Sequence, residues 1–543
     1  MLKRLWPYFL LAGLGSLLVT SLLKPGLYAS HDGIFHVYRT EEAWNMLKLG
    51  EFPLRWAGNF DQGFGIPLFT FVYPLPYYLT GLLSPLIGSI WAVKSLIIVA
   101  YLAGGLGIYR LFAQHGRWWA LSLALIYLMT PYQFLNVFVR GTLGEILALG
   151  LIPWVLVSFD SLWSNRKPSL CYYHPIPLGL LLIAHNFLGI LFTVFLAGYL
   201  LLDRRSRRQA ASSLLISLGL AAFFLLPMIG EKSLLYSFDH DFLTFLYDQH
   251  FVSLKQLLYG KWDYWYSVPG DNDGLSFQLG LAQIVVAGVG VGSILLNRKR
   301  SWAQIYLIVA YFGSLFLMTA RSYYIWDKIK ILQTVQFPWR LLFMPAILTP
   351  LLGLQFLLLF RNRRLANLVL AGVLALGFWN IRNYRRPIRY LDMTEFTDLY
   401  RLYYNKTSTT FRTEILPKLS VPNERYKSDE ILVNSGNMTI DNLSYDPLSL
   451  EVTLHNKPDS AEGRVTILRN FYPGWKLTLD GQQSVELVPT PEGMLSFIPE
   501  LGIHSYRLRM QNTPLERAAN ALSLFSITSL GYLWWSHRRT RKT

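Results

Sequence analysis

The sequence predicts a mainly α fold: a polytopic transmembrane helical bundle of about twelve spans, then an extracytoplasmic β-sandwich and a final transmembrane helix. Three observations predict it. Apolar residues make up 52% of the 543 residues and aromatic residues 15%, a membrane composition rather than that of several soluble domains. Nearly uncharged stretches recur that are long enough to cross a bilayer core of ~30 Å at ~1.5 Å per residue. The basic residues, finally, are confined to the breaks between those stretches.

That last point sets both partner class and topology. Seven clusters, Lys3-Arg4, Arg110 with Arg117, Arg166-Lys167, Arg204 to Arg208, Arg298 to Arg300, Arg361 to Arg364 and Arg538 to Lys542, hold twenty of the fifty basic residues against one acid, Asp203. These clusters alone exceed the net charge of +17. Such spacing is the positive-inside pattern and excludes a nucleic-acid partner. All seven belong in the cytoplasm of a plasma-membrane protein.

From a cytoplasmic N-terminus the predicted spans are 5–23, 93–112, 117–130, 146–163, 175–184, 187–202, 209–228, 276–296, 302–318, 341–360, 365–381 and 518–536, with both ends inside. The first follows Lys3 and Arg4 and reads as an anchor rather than a cleaved signal. Residues 67–87 are apolar too, but a crossing there would put Arg204 to Arg208 outside. They are expected to form a re-entrant or juxtamembrane helix pair broken by Pro74, Pro76 and Pro85. The outer segments are then 24–92, 131–145, the His185-Asn186 turn, 229–275, 319–340 and 382–517.

The resulting division is a transmembrane domain at 1–381, with 24–92 as a first outer loop, an extracytoplasmic β-rich domain at 382–517, and a last helix with a basic tail at 518–543. In the β-rich part, residues 464–468, 476–479 and 505–510 alternate, and Asp480-Gly481 suits a type I′ hairpin. Phe471, Tyr472 and Trp475 read as a sugar platform or as core aromatics, the second being favoured. Asn405, Asn437 and Asn442 match glycosylation acceptors. The single cysteine, Cys171, excludes an intrachain disulfide. There is no tandem repeat, Walker A element, His-Glu-x-x-His or Gly-x-Ser-x-Gly motif.

Ionisable residues gather on the predicted outer side. His31, Asp32, His36, Arg39 and Arg55 lie on the first loop, Arg140 and Glu145 on the second outer segment and His185 on the third. At that depth such groups are functional candidates. A partly desolvated carboxylate has the character of a general base, and Asp32 is the first choice, with Glu145 the second catalytic candidate. The remaining residues are candidate substrate ligands. Each also has a plain structural reading: a capping Asp, a surface His, an Arg snorkelling to headgroups. Asp32 and His36 are candidate ligands for a divalent cation, a question left open.

His31-Asp32-Gly33 through Arg39, Gly50 to Trp56, Gly63 to Phe69, the Tyr73 to Tyr78 run and Arg140-Gly141 to Glu145 together resemble the bacterial polytopic proteins labelled "6-pyruvoyl-tetrahydropterin synthase related". That family is similar to the GT-C class of glycosyltransferases. Phe471 to Lys476 with Asp480-Gly481 also resembles the YfhO-type membrane proteins. The resemblance implies a GT-C-like transmembrane domain that moves a hexosyl or pentosyl unit from a polyprenyl-phosphate donor to an envelope polymer, glycolipid or protein acceptor. It puts the catalytic carboxylate at Asp32, although many members carry a second acid beside it where this chain has His31. A lipid or solute transporter or flippase, and a noncatalytic envelope-assembly scaffold, are the alternatives. Candidate charges on the outer side, and halves that do not match, weigh for the transferase.

Overall fold

The computed structural model describes residues 2–163, 174–201, 207–239, 247–360, 362–404, 415–420, 427, 429–433, 438–457 and 463–540. Cys171, Asn405, Asn437 and the basic residues Arg166, Lys167, Arg204, Arg205, Arg361, Arg541 and Lys542 lie outside them, as does Asp203.

Each predicted crossing coincides, wholly or in part, with a helix. Among the described residues, four helices are long and apolar enough to cross a bilayer unaided: Ser89–His115, Leu143–Asp160, Pro338–Phe356 and Arg364–Ile381. Three bent helix pairs raise the number to seven, the bends being 49° after Leu128, 70° after Leu220 and 96° after Leu317. Four other predicted crossings fall on shorter helices, and the last on Pro514–Thr540, whose Ser, Thr and charged residues dilute its apolar content. Among the described residues, length and composition by themselves mark four to seven of the twelve expected crossings.

The centre of the bundle is the packing of Ser89–Phe112 against Leu143–Trp163. Small residues let them approach closely: a Cβ on Gly150 would sit 2.5 Å from the Ala100 carbonyl oxygen. Residues 67–87 form two helices, Leu68–Phe71 and Leu75–Ile87. Residues 131–145, placed as an outer segment, are largely helical. The chain turns helical again at Pro131–Phe134 and continues as a π-helical turn, Leu135–Arg140, with every residue buried. Phe134, Leu135, Val137, Phe138 and Val139 drive that burial.

Strands β1 (Ile431–Val433), β2 (Met438–Asp446), β3 (Ser449–Asn456), β4 (Val465–Asn470), β5 (Trp475–Leu479), β6 (Gln483–Val485), β7 (Val488–Pro489), β8 (Met494–Phe497) and β9 (Gly502–Met510) form two antiparallel sheets. Their orders are β1-β4-β8-β7 and β2-β3-β9-β5-β6. Leu450, Val452 and Leu454 alternate inward on β3 and meet Ile467, Leu495 and Phe497 of the other sheet. Positive φ at Asp480 and Gly481 (48° and 76°), with Gln482 N–H donating to Leu479 O, makes the expected I′ turn. Tyr472 and Trp475 are core residues. Residues 382–404 are not part of the sandwich: they end in the helix Met393–Tyr404, which packs on the helix Gly33–Lys48.

The sandwich is seated on the first outer loop. Trp56 inserts into its core, 1% exposed, against Tyr472 and Trp475. Buried Asn470 donates to Asp61 Oδ2 (2.9 Å) and Gly65 O (2.7 Å), and Arg469 donates to Gly63 O (3.0 Å).

Candidate active site

Two backbone hydrogen bonds join pieces more than a hundred residues apart. His31 N–H donates to Val139 O (3.0 Å) and Asp32 N–H to Arg140 O (2.8 Å). Gly141 makes the junction possible. Its φ is +69°, and a Cβ there would lie 2.9 Å from Ser30 Cβ and 3.1 Å from Gly33 N, so a side chain would be both strained and obstructed. The π turn before it closes with Gly141 N–H on Asn136 O (2.8 Å), and turns of this kind recur at functional sites.

Arg140 and Glu145 form the buried centre. Arg140 Nη1 and Nη2 donate to Glu145 Oε2 (2.7 Å) and Oε1 (2.8 Å), a two-point contact that fixes both side chains. Arg140 Nη1 also donates to Asn136 Oδ1 (2.6 Å), and its guanidinium lies over the Trp339 ring at 4.8 Å. Glu145 further accepts from the Tyr132 hydroxyl (2.8 Å) and has Arg340 Nε 3.3 Å away. His185 closes the ring of partners. Its Nδ1 accepts from Leu188 N–H (3.3 Å), which leaves the proton on Nε2, 3.9 Å from Glu145 Oε1, and Tyr73 stacks on its face. With its lone pairs committed in this way, Glu145 serves to neutralise and orient two guanidiniums.

The surroundings of Asp32 differ. It stands at the N-terminus of the helix Gly33–Lys48, partly exposed, and its side chain makes no capping hydrogen bond. Among the described residues no side chain hydrogen-bonds its carboxylate, while His31, Arg140 and Arg340 act on it electrostatically. The helix end favours its negative charge. His31 stacks on Tyr266 (4.4 Å between centroids), and burial lowers its pKa, so the ring is neutral near pH 7.

His36 is locked in one tautomer. Nε2 accepts from Leu143 N–H (3.1 Å), so Nδ1–H donates to the Tyr77 hydroxyl (2.9 Å), which also receives Arg39 Nη1 (3.3 Å). Burial, then the Arg39 charge, drives the His36 pKa well down. With both ring nitrogens used, His36 is not placed to ligate a metal. Among the described residues no group of three His, Cys, Asp or Glu side chains is placed to hold a metal ion.

Seven of the eight candidate residues thus surround one place. Arg55 stands apart: Nη2 donates to Phe223 O (2.6 Å) and Asn520 Oδ1 (3.0 Å), and Nε faces Glu516 Oε1 at 3.4 Å. Sequence reading passed over Arg340 and Tyr132, and named Tyr73 only as the start of the aromatic-proline run. Arg340 had a usable signal, a cation at the outer mouth of a predicted span, in Phe337-Pro338-Trp339-Arg340. Counting it, three guanidiniums (Arg39, Arg140 and Arg340) gather with two carboxylates (Asp32 and Glu145) among the described residues, a group with a net charge of one positive, Asp32 included.

Residues 69–384 match the family described as "6-pyruvoyl-tetrahydropterin synthase related domain; membrane protein". No curated protein matches the chain. Among solved structures it is similar to the arabinofuranosyltransferase AftD from Mycobacteria, at 15% identity and a TM-score of 0.45 over 71% of this chain and 27% of that one. It is also similar to the oligosaccharyltransferase of Archaeoglobus fulgidus in the apo form (14%, TM-score 0.47) and, as AglB, in complex with an inhibitory peptide and a dolichol-phosphate (12%, TM-score 0.48). Both of those cover 78% of this chain and 62% of the other. The chain thus spans about a quarter of the first protein and about three fifths of the second.

Proposed function

This chain belongs to the 6-pyruvoyl-tetrahydropterin synthase related family of membrane proteins, and from that premise we propose that it is a membrane glycosyltransferase with Asp32 as general base. The donor in this reading is a polyprenyl-phosphate sugar, the acceptor an envelope polymer, glycolipid or protein, and transfer occurs with inversion on the outer face of the plasma membrane. Both termini are then cytoplasmic and residues 382–517 extracytoplasmic, as the basic clusters require.

One observation carries the reading. Asp32 is a partly exposed carboxylate to which no side chain among the described residues hydrogen-bonds, in a cluster whose net charge is positive. In the reaction the acceptor hydroxyl hydrogen-bonds to Asp32 and its oxygen attacks the anomeric carbon. The proton passes to the carboxylate while the bond from that carbon to the phosphate oxygen breaks, and the electron pair leaves on the phosphate. Arg340, with Arg140 behind it, stabilises the charge that accumulates there. Glu145 keeps the two guanidiniums apart and aimed, and His185 and Tyr132 hold Glu145.

The test is release of free polyprenyl phosphate from a panel of polyprenyl-phosphate sugars by purified protein in lipid. Wild type is expected to turn over at least one donor, and Asp32→Asn to lose at least ~100-fold with an unchanged melting temperature. Full turnover by Asp32→Asn would falsify the assignment of the base.

A further inference from the structure

A second cavity, of about 410 Å³, lies between the first outer loop, the β-sandwich and the start of the helix Pro514–Thr540. It shares no residue with the Asp32 cluster. Its wall brings together Glu51, Arg55, Thr70, Asp446, Tyr472 and Glu516, and its volume is within the range of small-molecule sites, about 300–1,000 Å³.

Three of these side chains carry a buried polar atom with no hydrogen-bond partner, Thr70 at Oγ1 and, with more consequence for a ligand, Arg55 and Glu51. Arg55 is 6% exposed, and its Nη1 is buried with no hydrogen-bond partner. Glu51 accepts from Trp56 N–H on Oε1 (2.8 Å), but its buried Oε2 has no partner. Buried polar atoms of this kind cost free energy unless something completes them. Burial pushes the Glu51 carboxyl up to about 8, so near pH 7 it is protonated and Oε2 presents an O–H.

The charges select the ligand. Glu516 opposes Arg55, while Asp446 is taken up by Leu448 N–H, Ser449 N–H and the Ser449 hydroxyl. An entering anion meets Glu516 and Asp446, and a cation meets Arg55 and, at the rim, Arg509. A neutral ligand rich in hydroxyl and ether oxygens satisfies the two open donors without opposing either sign, and Phe52, 76% exposed at the wall, offers an apolar face. We propose that this cavity is a saccharide subsite that holds a neutral sugar unit of the acceptor away from the reacting hydroxyl. The identification of that sugar with the acceptor rests on the transferase reading. Contacts with a remote, non-reacting part of a substrate are an accepted means of supporting the step at the reacting centre.

The test separates the two proposals. Full-length Asp32→Asn protein in nanodiscs is titrated with mannotriose, maltotriose, chitotriose and arabinotriose, with binding followed by saturation-transfer NMR and calorimetry. At least one of these neutral trisaccharides is expected to bind. Glu51→Gln, which keeps a neutral donor, should retain the affinity, whereas Glu51→Leu should weaken it about tenfold in protein that still elutes as a folded species. If none of the four binds, or if Glu51→Leu binds as well as Glu51→Gln, the subsite is overturned. Binding sensitive to Glu51→Leu, in a protein whose wild type turns over no donor, supports the subsite and overturns the transferase. Active transfer with an acceptor KM unmoved by Glu51→Leu overturns the subsite and leaves the transferase standing.

Discussion

Asp32 and Glu145 are carboxylates of one cluster, and their surroundings give them different work. Glu145 is 1% exposed and shared between Arg140, Arg340 and Tyr132. Glu145→Gln removes the negative charge that Arg140 and Arg340 share and is expected to destabilise the protein by about 3–5 kcal/mol, read as a lowered denaturation midpoint in detergent. Asp32→Asn should leave that midpoint in place, because nothing in the fold leans on its side chain. Glu51 supplies a pH test. Its folded pKa, about 8 against an ordinary 4.5, means that the folded state holds a proton the unfolded chain releases. Stability is therefore lost as pH rises from about 4.5 to about 8 and is level above that. Glu51→Gln should flatten this slope in a melting-temperature series, and an identical slope in both proteins would refute the buried, protonated carboxyl.

Among elements, the π turn Leu135–Arg140 and its Gly141 terminus matter most. They convert an apolar segment into a support that presents the Val139 and Arg140 carbonyls to the first outer loop. Gly141→Ala adds a methyl group at positive φ against Ser30, and the expected cost is about 1–3 kcal/mol with loss of turnover although no catalytic group has changed. Hydrogen exchange at His31 and Asp32 amides should rise in that variant; unchanged protection there would show that the junction survives. The sequence pattern marked Arg140-Gly141 as a notable pair but read the residues before it as an outer segment. The i→i+5 bonding of a π turn leaves no periodicity to detect. The positions of the Leu143–Trp163 and Ser89–Phe112 helices were legible because long apolar runs demand burial whatever their neighbours are.

For the whole molecule, the orientation of the chain and the seating of the sandwich are the quantities to measure. In a Cys171→Ser background, a cysteine placed at Glu492 should react with an impermeant thiol reagent from outside intact cells, and one at Arg298 only after permeabilisation. The reverse pattern would invert the topology and put Asp32 on the wrong face for the proposed donor. Trp56 belongs to the first outer loop in sequence and to the sandwich core in space. Trp56→Ala is expected to cost about 3–5 kcal/mol and to release the sandwich from residues 61–65, seen as faster proteolysis between the two parts.

What the amino-acid sequence determined by itself was whatever follows from solvent: apolar segments long enough to leave water, cations gathered in the breaks between them, alternating strands, and a set of ionisable residues, Asp32 among them, set apart as candidates. Those properties are local, since transfer free energies and turn preferences act on each segment without reference to the others. The tertiary structure alone decided which of these residues meet. It brought Arg340 to Glu145, turned both His36 nitrogens inward, left the Asp32 carboxylate without a hydrogen-bonding side chain among the described residues and carried Arg55 to a separate cavity. Such pairings depend on close packing between segments hundreds of residues apart, and neither composition nor spacing along the chain encodes that distance in readable form.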